Sequence, residues 1–174
     1  MHRCPAVHVD RIDPDKTMSV NPLSLIDAYL QGQLADNQLV VHVEQAAAQD
    51  LELGTQTRWY VRMRSDEKTV VTVWLTVRER TLHYETYLAP APEENIAQAF
   101  EYALRVNKRL VGSAGTVGMA LCIGGEDAFY IEGAVSLDLI SDDLLDTILG
   151  GLYAASEEIF PTIMRIGYAS HFAR

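Results

Sequence analysis

Residues 58–88, RWYVRMRSDEKTVVTVWLTVRERTLHYETYL, change face at every residue, three times over. In the first run Trp59, Val61 and Met63 share one side, while Arg58, Tyr60, Arg62 and Arg64 share the other. In the second, Val71, Val73, Leu75 and Val77 line one side. In the third, Leu82, Tyr84, Thr86 and Leu88 oppose His83, Glu85 and Tyr87. A period of two is the signature of a half-buried strand, because successive side chains leave the backbone on opposite faces. Ser65-Asp66-Glu67-Lys68 and Arg78-Glu79-Arg80 separate the runs and are short enough for hairpin turns. The stretch therefore reads as an antiparallel meander of three strands.

On the C-terminal side, Pro90 and Pro92 end the third strand, and Glu93-Glu94 are expected to open a helix where acids complement the N-terminal dipole. Ile96, Phe100, Ala103 and Leu104 form its apolar stripe, and Arg105, Lys108 and Arg109 occupy its last turns. A glycine-rich connection at 112–118 leads to two more strands, MALCI and AFYIEGAVSL, joined by Gly124-Gly125-Glu126-Asp127. Ser141 is placed to cap a final helix with the stripe Leu144, Leu145, Ile148, Leu149, Leu152, Ile159 and Phe160. Gly150-Gly151 loosens that helix, and Pro161 is expected to kink or restart it.

On the N-terminal side, residues 1–20 lack periodicity and are expected to form a flexible leader before one domain spanning 21–174. Asn21-Pro22 supplies a cap and a first-turn proline for a helix through Leu23, Ile26, Leu30 and Leu34. A second helical pattern runs through Leu39, Val40, Val43, Ala46, Ala47 and Leu51, although its β-branched opening, QLVVHV, also reads as a short strand. The resulting order is helix, optional second helix, three strands, helix, two strands, helix. Strands in blocks favour an α+β fold, with an antiparallel sheet of about five strands and helices on one face.

Composition narrows the function. The 174 residues carry a net charge of −10, which at long range repels DNA, RNA and anionic membranes. No apolar run approaches the roughly 20 residues of a membrane helix, and the expected location is the cytoplasm. Cys4 and Cys122 make no disulfide framework or zinc motif, and Cys122 reads as a small core residue.

The loop GSAGTVG follows a helix, precedes a strand and lacks the lysine of a phosphate-binding loop, so it reads as a connector. His2, His8, His42, His83 and His171 fall in no nucleophile, base or metal motif. The acid pairs 93–94, 126–127, 142–143 and 157–158 are each neighbours on one element and do not converge on a cleft. No catalytic residue, cofactor site or metal site is expected.

The polar sheet face carries the functional expectation. Arg58, Arg62 and Arg64 project together, and Arg78, Arg80, His83, Glu85 and Tyr87 can join them through hairpin pairing. Arginines so grouped can pair bidentately with an acidic protein segment or a phosphorylated ligand. The same residues also read as a solvated face with cross-strand Arg–Glu pairs of about 0.2–1 kcal/mol each.

From Trp59 to Phe172 the chain resembles actinobacterial members of the YbjN family, a bacterial group named for sensory-transduction regulation. The resemblance is carried by RWYVRMRSDEKTVVTVWLTV, LHYETYLAPAPEEN, YALRVNKRL, GGEDAFYIEGAVSL, LLDTILGGLYAASEEIF and IGYAS, in that order. It implies a type III secretion chaperone-like fold, no catalytic residues, and by analogy a homodimer that binds protein segments.

The expected function is thus a non-catalytic protein-binding module, a regulator or chaperone-like adaptor. The alternative is a small-ligand sensor with a pocket between the sheet and the C-terminal helix, roomy at Gly150-Gly151 and served by the Tyr153 hydroxyl. Exposure of Leu23, Leu25, Ile26 and Tyr29 would point to dimerisation through the first helix.

Overall fold

A computed structural model of the chain describes residues 21–112 and 117–172. The expected leader lies outside these residues. Helix α1 (Pro22–Asp36) begins as its sequence suggests, with Asn21 Oδ1 accepting the Leu23 amide at 3.0 Å and Pro22 in the first turn.

The next segment is a strand. β1 (Val40–Gln45) pairs antiparallel with β2 (Thr57–Ser65), and the only helical feature between them is the 3-10 turn Ala48–Asp50. The optional second helix is therefore replaced by a strand and a turn. A bulge at Val41 is the physical reason for the ambiguity. It carries the chain from inward Val40 to inward Val43 in three residues, a spacing that mimics a helix.

The meander forms as its alternation dictates. β2, β3 (Thr69–Val77) and β4 (Thr81–Ala89) pair in register, with Trp59 opposite Leu75 and Leu75 opposite Tyr84. After α2 (Ile96–Gly112), β5 (Ala120–Ile123) and β6 (Phe129–Ser136) complete an α+β fold with six antiparallel strands in the order β1-β2-β3-β4-β6-β5. β6 inserts between β4 and β5, so the last hairpin joins the meander through its second strand.

One face of the sheet is buried beneath helices. α3 (Asp142–Gly167), capped by Ser141 Oγ accepting the Leu144 amide at 3.2 Å, lies across β2, β3 and β4; α1 packs beside β1 and α2 beside β5. Trp59, Val61, Val73, Leu75, Leu82 and Tyr84 meet Ile26, Leu30, Ile148, Leu152 and Ile159 in one continuous core. α3 runs as one helix through Pro161 and ends at Gly167, followed by the short α4 (Ala169–Phe172).

The ends of α3 and α2 are tied together by local chemistry. The amides of Glu93 and Glu94 donate to the Gly167 carbonyl at 3.0 and 2.9 Å, closing the C-terminus of α3. These acids therefore precede α2, which starts at Ile96, and do not form its first turn. At the hairpin between β2 and β3, Glu157 of α3 accepts Ser65 Oγ and the Asp66 amide, fixing the turn to the helix.

The two sheet edges differ. On β5, the Asn107 side chain of α2 donates to the Leu121 carbonyl at 2.9 Å and accepts the Leu121 amide at 2.6 Å. An amide side chain thus stands in for a neighbouring strand and blunts that edge. β1, the opposite edge, carries exposed His42 and Glu44 and the bulge at Val41.

Candidate functional site: the helix-free sheet face

Alternation that sends Trp59, Val61 and Met63 into the core sends Arg58, Tyr60, Arg62 and Arg64 outward, and register does the rest. One row across the outer face reads Glu44, Tyr60, Trp74, Glu85, Glu132 and Ala120, each opposite the next on its neighbouring strand. A second reads Arg58, Thr76, His83 and Ala134. A third places His42 opposite Arg62 and Arg62 opposite Thr72. The structure brings all five sequence-selected residues, Arg58, Arg62, Arg64, His83 and Glu85, onto this one face.

Their environments differ. Arg58 is half-buried and its Nε donates to Thr76 Oγ1 at 2.8 Å, whereas Arg62 and Arg64 are exposed. His83 is half-buried, with a ring nitrogen 3.0 Å from Thr81 Oγ1. Burial first, and then the neighbouring Arg78 guanidinium, push its basicity below the usual histidine range against an opposing pull from Glu132. His83 is accordingly a neutral hydrogen-bonding group near pH 7.

Glu85 has the reverse problem. Its carboxyl is pushed above the usual carboxylate range by burial, opposed by Arg58 and Arg78 and reinforced by Glu132 and Glu52. Glu85 and Glu132 stand directly opposite each other on β4 and β6, and like charges so placed destabilise a sheet. They flank a hollow of about 450 Å³ floored by Gly118, Ala120, Gly133 and Ala134 and walled by His83.

Aromatic side chains share this face with the arginines and the carboxylates. Trp74 is half-buried between Tyr60 and Glu85, and Tyr87 meets Tyr130 edge to face with ring centroids 5.5 Å apart. Trp74 and Glu132 were not among the residues singled out from sequence. Parity with Thr72 and Thr76 assigns Trp74 to this face, but only the β4–β6 pairing places Glu132 there.

Cys122 also sits on this face, half-buried opposite Tyr130, and not in the core as expected. Its thiol lies 3.6 Å from the Tyr130 carbonyl, and burial, aided by Glu132, pushes it up to about 12. Such a thiol is a poor nucleophile. Among the described residues no group of three His, Cys, Asp or Glu side chains could hold a metal ion. No described helix is long and apolar enough to cross a membrane.

The condition set for dimerisation through α1 is not met, and the expected pocket lies elsewhere. Ile26 is fully buried, and Leu23, Leu25 and Tyr29 pack against the core, so α1 presents no open apolar stripe for a dimer. Gly150 and Gly151 do line a cavity, of about 480 Å³, but it opens between α2 and α3 with Val106, Leu110, Val117 and Met119. Tyr153 is absent from its walls; it faces Tyr29, Val40 and Met63 in a separate crevice.

No family model matches the chain. It is 25% identical over 121 residues to an uncharacterized protein of Mycobacterium tuberculosis, and 26% identical over 113 residues to one of Mycobacterium leprae. These matches cover 70% and 65% of this chain, but only 63% and 58% of the relatives, so the chain spans less than two thirds of their length. Among solved structures it is similar to the Yersinia pestis type III secretion chaperone SycH, solved with a stable fragment of YscM2. The TM-score is 0.51 at 16% identity, over 80% of this chain and 99% of that one. An uncharacterized protein from Methanothermobacter thermautotrophicus gives 0.54 at 11% identity, over 83% and 98%. At these identities the likeness is one of fold: this chain has the architecture of a type III secretion chaperone.

Proposed function

We propose that the chain is a non-catalytic, cytoplasmic protein-binding module of the YbjN type, a regulator or chaperone-like adaptor formed by residues 21–174 as one domain. Its recognition surface is the face of the sheet that no described helix covers. The observation that carries this reading is the composition of that face. Among the described residues helices cover one side of the six-stranded sheet, and the other side carries Tyr60, Trp74, Tyr87 and Tyr130 with exposed Arg62 and Arg64. Aromatic residues and arginine are the types enriched where proteins dock. SycH, with the same architecture, was solved with a protein fragment, and this analogy supports the reading.

Affinity capture from native-host lysate tests it, comparing the natural chain with Arg58→Glu/Arg62→Glu by mass spectrometry. A protein retained only by the natural chain is the expected result. Equal capture by both would remove the arginines from the recognition surface.

The cavity beside Gly150 and Gly151 favours a second reading, a small-ligand sensor. Its volume is within the range of ligand pockets and its lining is mainly apolar. A metabolite that raises the melting temperature of the natural chain but not of Gly150→Leu would support it; a broad screen with no shift would count against it.

A further inference from the structure

We infer that the cavity between α2 and α3 binds an unbranched aliphatic amine, its ammonium against Asp146 and its chain laid along the cavity towards Ile159. The assignment rests on the reading of that cavity as a small-ligand site and names the ligand's chemistry.

Shape selects the chain. The cavity follows α3 from Asp146 and Thr147 to Glu158 and Ile159, a run of about 18 Å at about 1.5 Å per residue. Spread over that length, its volume of about 480 Å³ gives a mean cross-section of about 27 Å². That is a furrow for a single hydrocarbon chain, too narrow for a fused-ring body. Between its two ends the walls are Val106, Leu110, Val117, Met119 and small residues of α3, with no N–H, hydroxyl or carboxylate side chain among them. Methylenes suit such walls, and a polar mid-section would lose its hydrogen bonds there.

Gly150 shows that the furrow is kept open. Glycine is a poor helix former, yet α3 carries two side by side in its middle turns. Gly151 has a packing reason, because a Cβ there would lie 2.5 Å from Met119 Cε. Gly150 has none: a Cβ there meets nothing within 4 Å, and its backbone requires no positive φ. The space in front of Gly150 belongs to the furrow, and a larger side chain would fill it.

Charge selects the head. At one end of the furrow Asp146 Oδ1 accepts both Tyr29 Oη at 2.5 Å and Gln33 Nε2 at 3.2 Å, while Oδ2 accepts no hydrogen bond from a described residue. Burial, then the hydrogen bond to Asp146 and the charges of Asp146 and Asp142, push the Tyr29 hydroxyl far above its usual range, so it remains a donor. At the other end Arg109 and Glu158 pair at 2.5 Å and cancel each other's formal charge. With −10 on the whole chain, a carboxylate head is repelled and an ammonium is drawn to Asp146 Oδ2.

Isothermal titration calorimetry of the full chain with n-octylamine and n-decylamine, below their micellar concentrations, tests the inference, with n-decanoate and n-decanol for comparison. Both amines are expected to bind one to one, the affinity rising by up to about fourfold per added methylene and falling at high salt. Asp146→Asn keeps an acceptor for Tyr29 and should weaken decylamine by about tenfold or more. Glu44→Gln makes the same charge change on the opposite face of the sheet and should leave binding unchanged. Gly150→Leu should abolish it, and circular dichroism verifies that each variant folds. If Gly150→Leu does not fold, Asp146→Asn and the chain-length series decide.

Decylamine binding that survives Asp146→Asn or a folded Gly150→Leu unchanged overturns the inference. Decanoate or decanol bound as tightly as decylamine, and lost in Gly150→Leu, also overturns it, yet leaves the ligand-site reading standing. No binding by any of the four overturns it too; joined with a metabolite screen that shifts nothing, it removes the ligand-site reading as well.

Discussion

Replacing Gly133 with alanine should destabilise the fold by about 3 kcal/mol, because strand β6 passes where a side chain has no room. Gly133 is directly opposite Tyr84 on β4. A Cβ built on it would lie 2.5 Å from Tyr84 Oη and deeper still within contact distance of the Gly118 carbonyl oxygen. Those two atoms are hydrogen-bonded to each other at 2.8 Å, and Tyr84 is fully buried. Alanine must therefore push the ring or the 118 backbone aside and break that bond. Overpacking of this kind costs about 1–3 kcal/mol, and a buried hydrogen bond left unmade adds about 1 kcal/mol or more. Urea denaturation followed by circular dichroism should show a midpoint shift without a change in slope. Gly118→Ala is the control, since nothing lies within 4 Å of its Cβ position, and it should stay within about 0.5 kcal/mol of the natural chain. A Gly133→Ala protein as stable as that control would refute the packing of Tyr84 between β6 and the 118 backbone.

Three further outcomes follow from other contacts. Asn107→Leu removes both hydrogen bonds to Leu121 and should cost about 1–3 kcal/mol in urea, with light scattering rising as the β5 edge opens; unchanged stability would mean that the amide does not hold that edge. Lys68, held over the Tyr87 and Phe160 rings, is lowered by burial from 10.5 to about 8, with Glu157 opposing. Its folded value lies below its unfolded value, so the cost of burying the charge is full below about pH 8 and relieved as pH rises towards 10.5. The stability of Lys68→Met relative to the natural chain should therefore fall by about 1–2 kcal/mol between pH 7 and pH 10, measured by urea titration at each pH; a constant difference would refute the buried charge. Leu152→Ala, at a fully buried site of α3 in the core, should cost about 2–5 kcal/mol by the same titration, and a cost below 1 kcal/mol would refute its packing.

Much of the architecture could be read from residue spacing, and the exceptions have physical causes. The three long strands were legible because each has one dry face and one wet face, and a period of two cannot be shared with a helix. β1 was ambiguous because its bulge at Val41 breaks that period where Val40 and Val43 both turn inward. The position of β6 between β4 and β5 depends on long-range pairing, which no local pattern records.

The same distinction separates the residues of the candidate face. Arg58, Arg62, Arg64, His83 and Glu85 followed from alternation within single strands. Glu132 requires knowledge of which strand lies beside β4, and Trp74 sits on the outer parity of a run whose dominant apolar signal, Val71, Val73, Leu75 and Val77, belongs to the core face. The cavity at Gly150 and Gly151 was anticipated from their missing side chains, but its walls come from α2 and residues 117–119, whose packing against α3 is not encoded locally. Tyr153 points elsewhere for the plain reason that it lies on another side of the helix.

The most direct test of the recognition surface is hydroxyl-radical footprinting of the chain, comparing dilute purified protein with the complex it forms at native abundance. Protection of Tyr60, Trp74 and Tyr87, with Leu104 of α2 and Phe172 of α4 as reactive as before, is the predicted result. Unchanged reactivity across these three aromatics, with protection confined to the helices, would contradict the claim that this chain recognises its partner through the open face of its sheet.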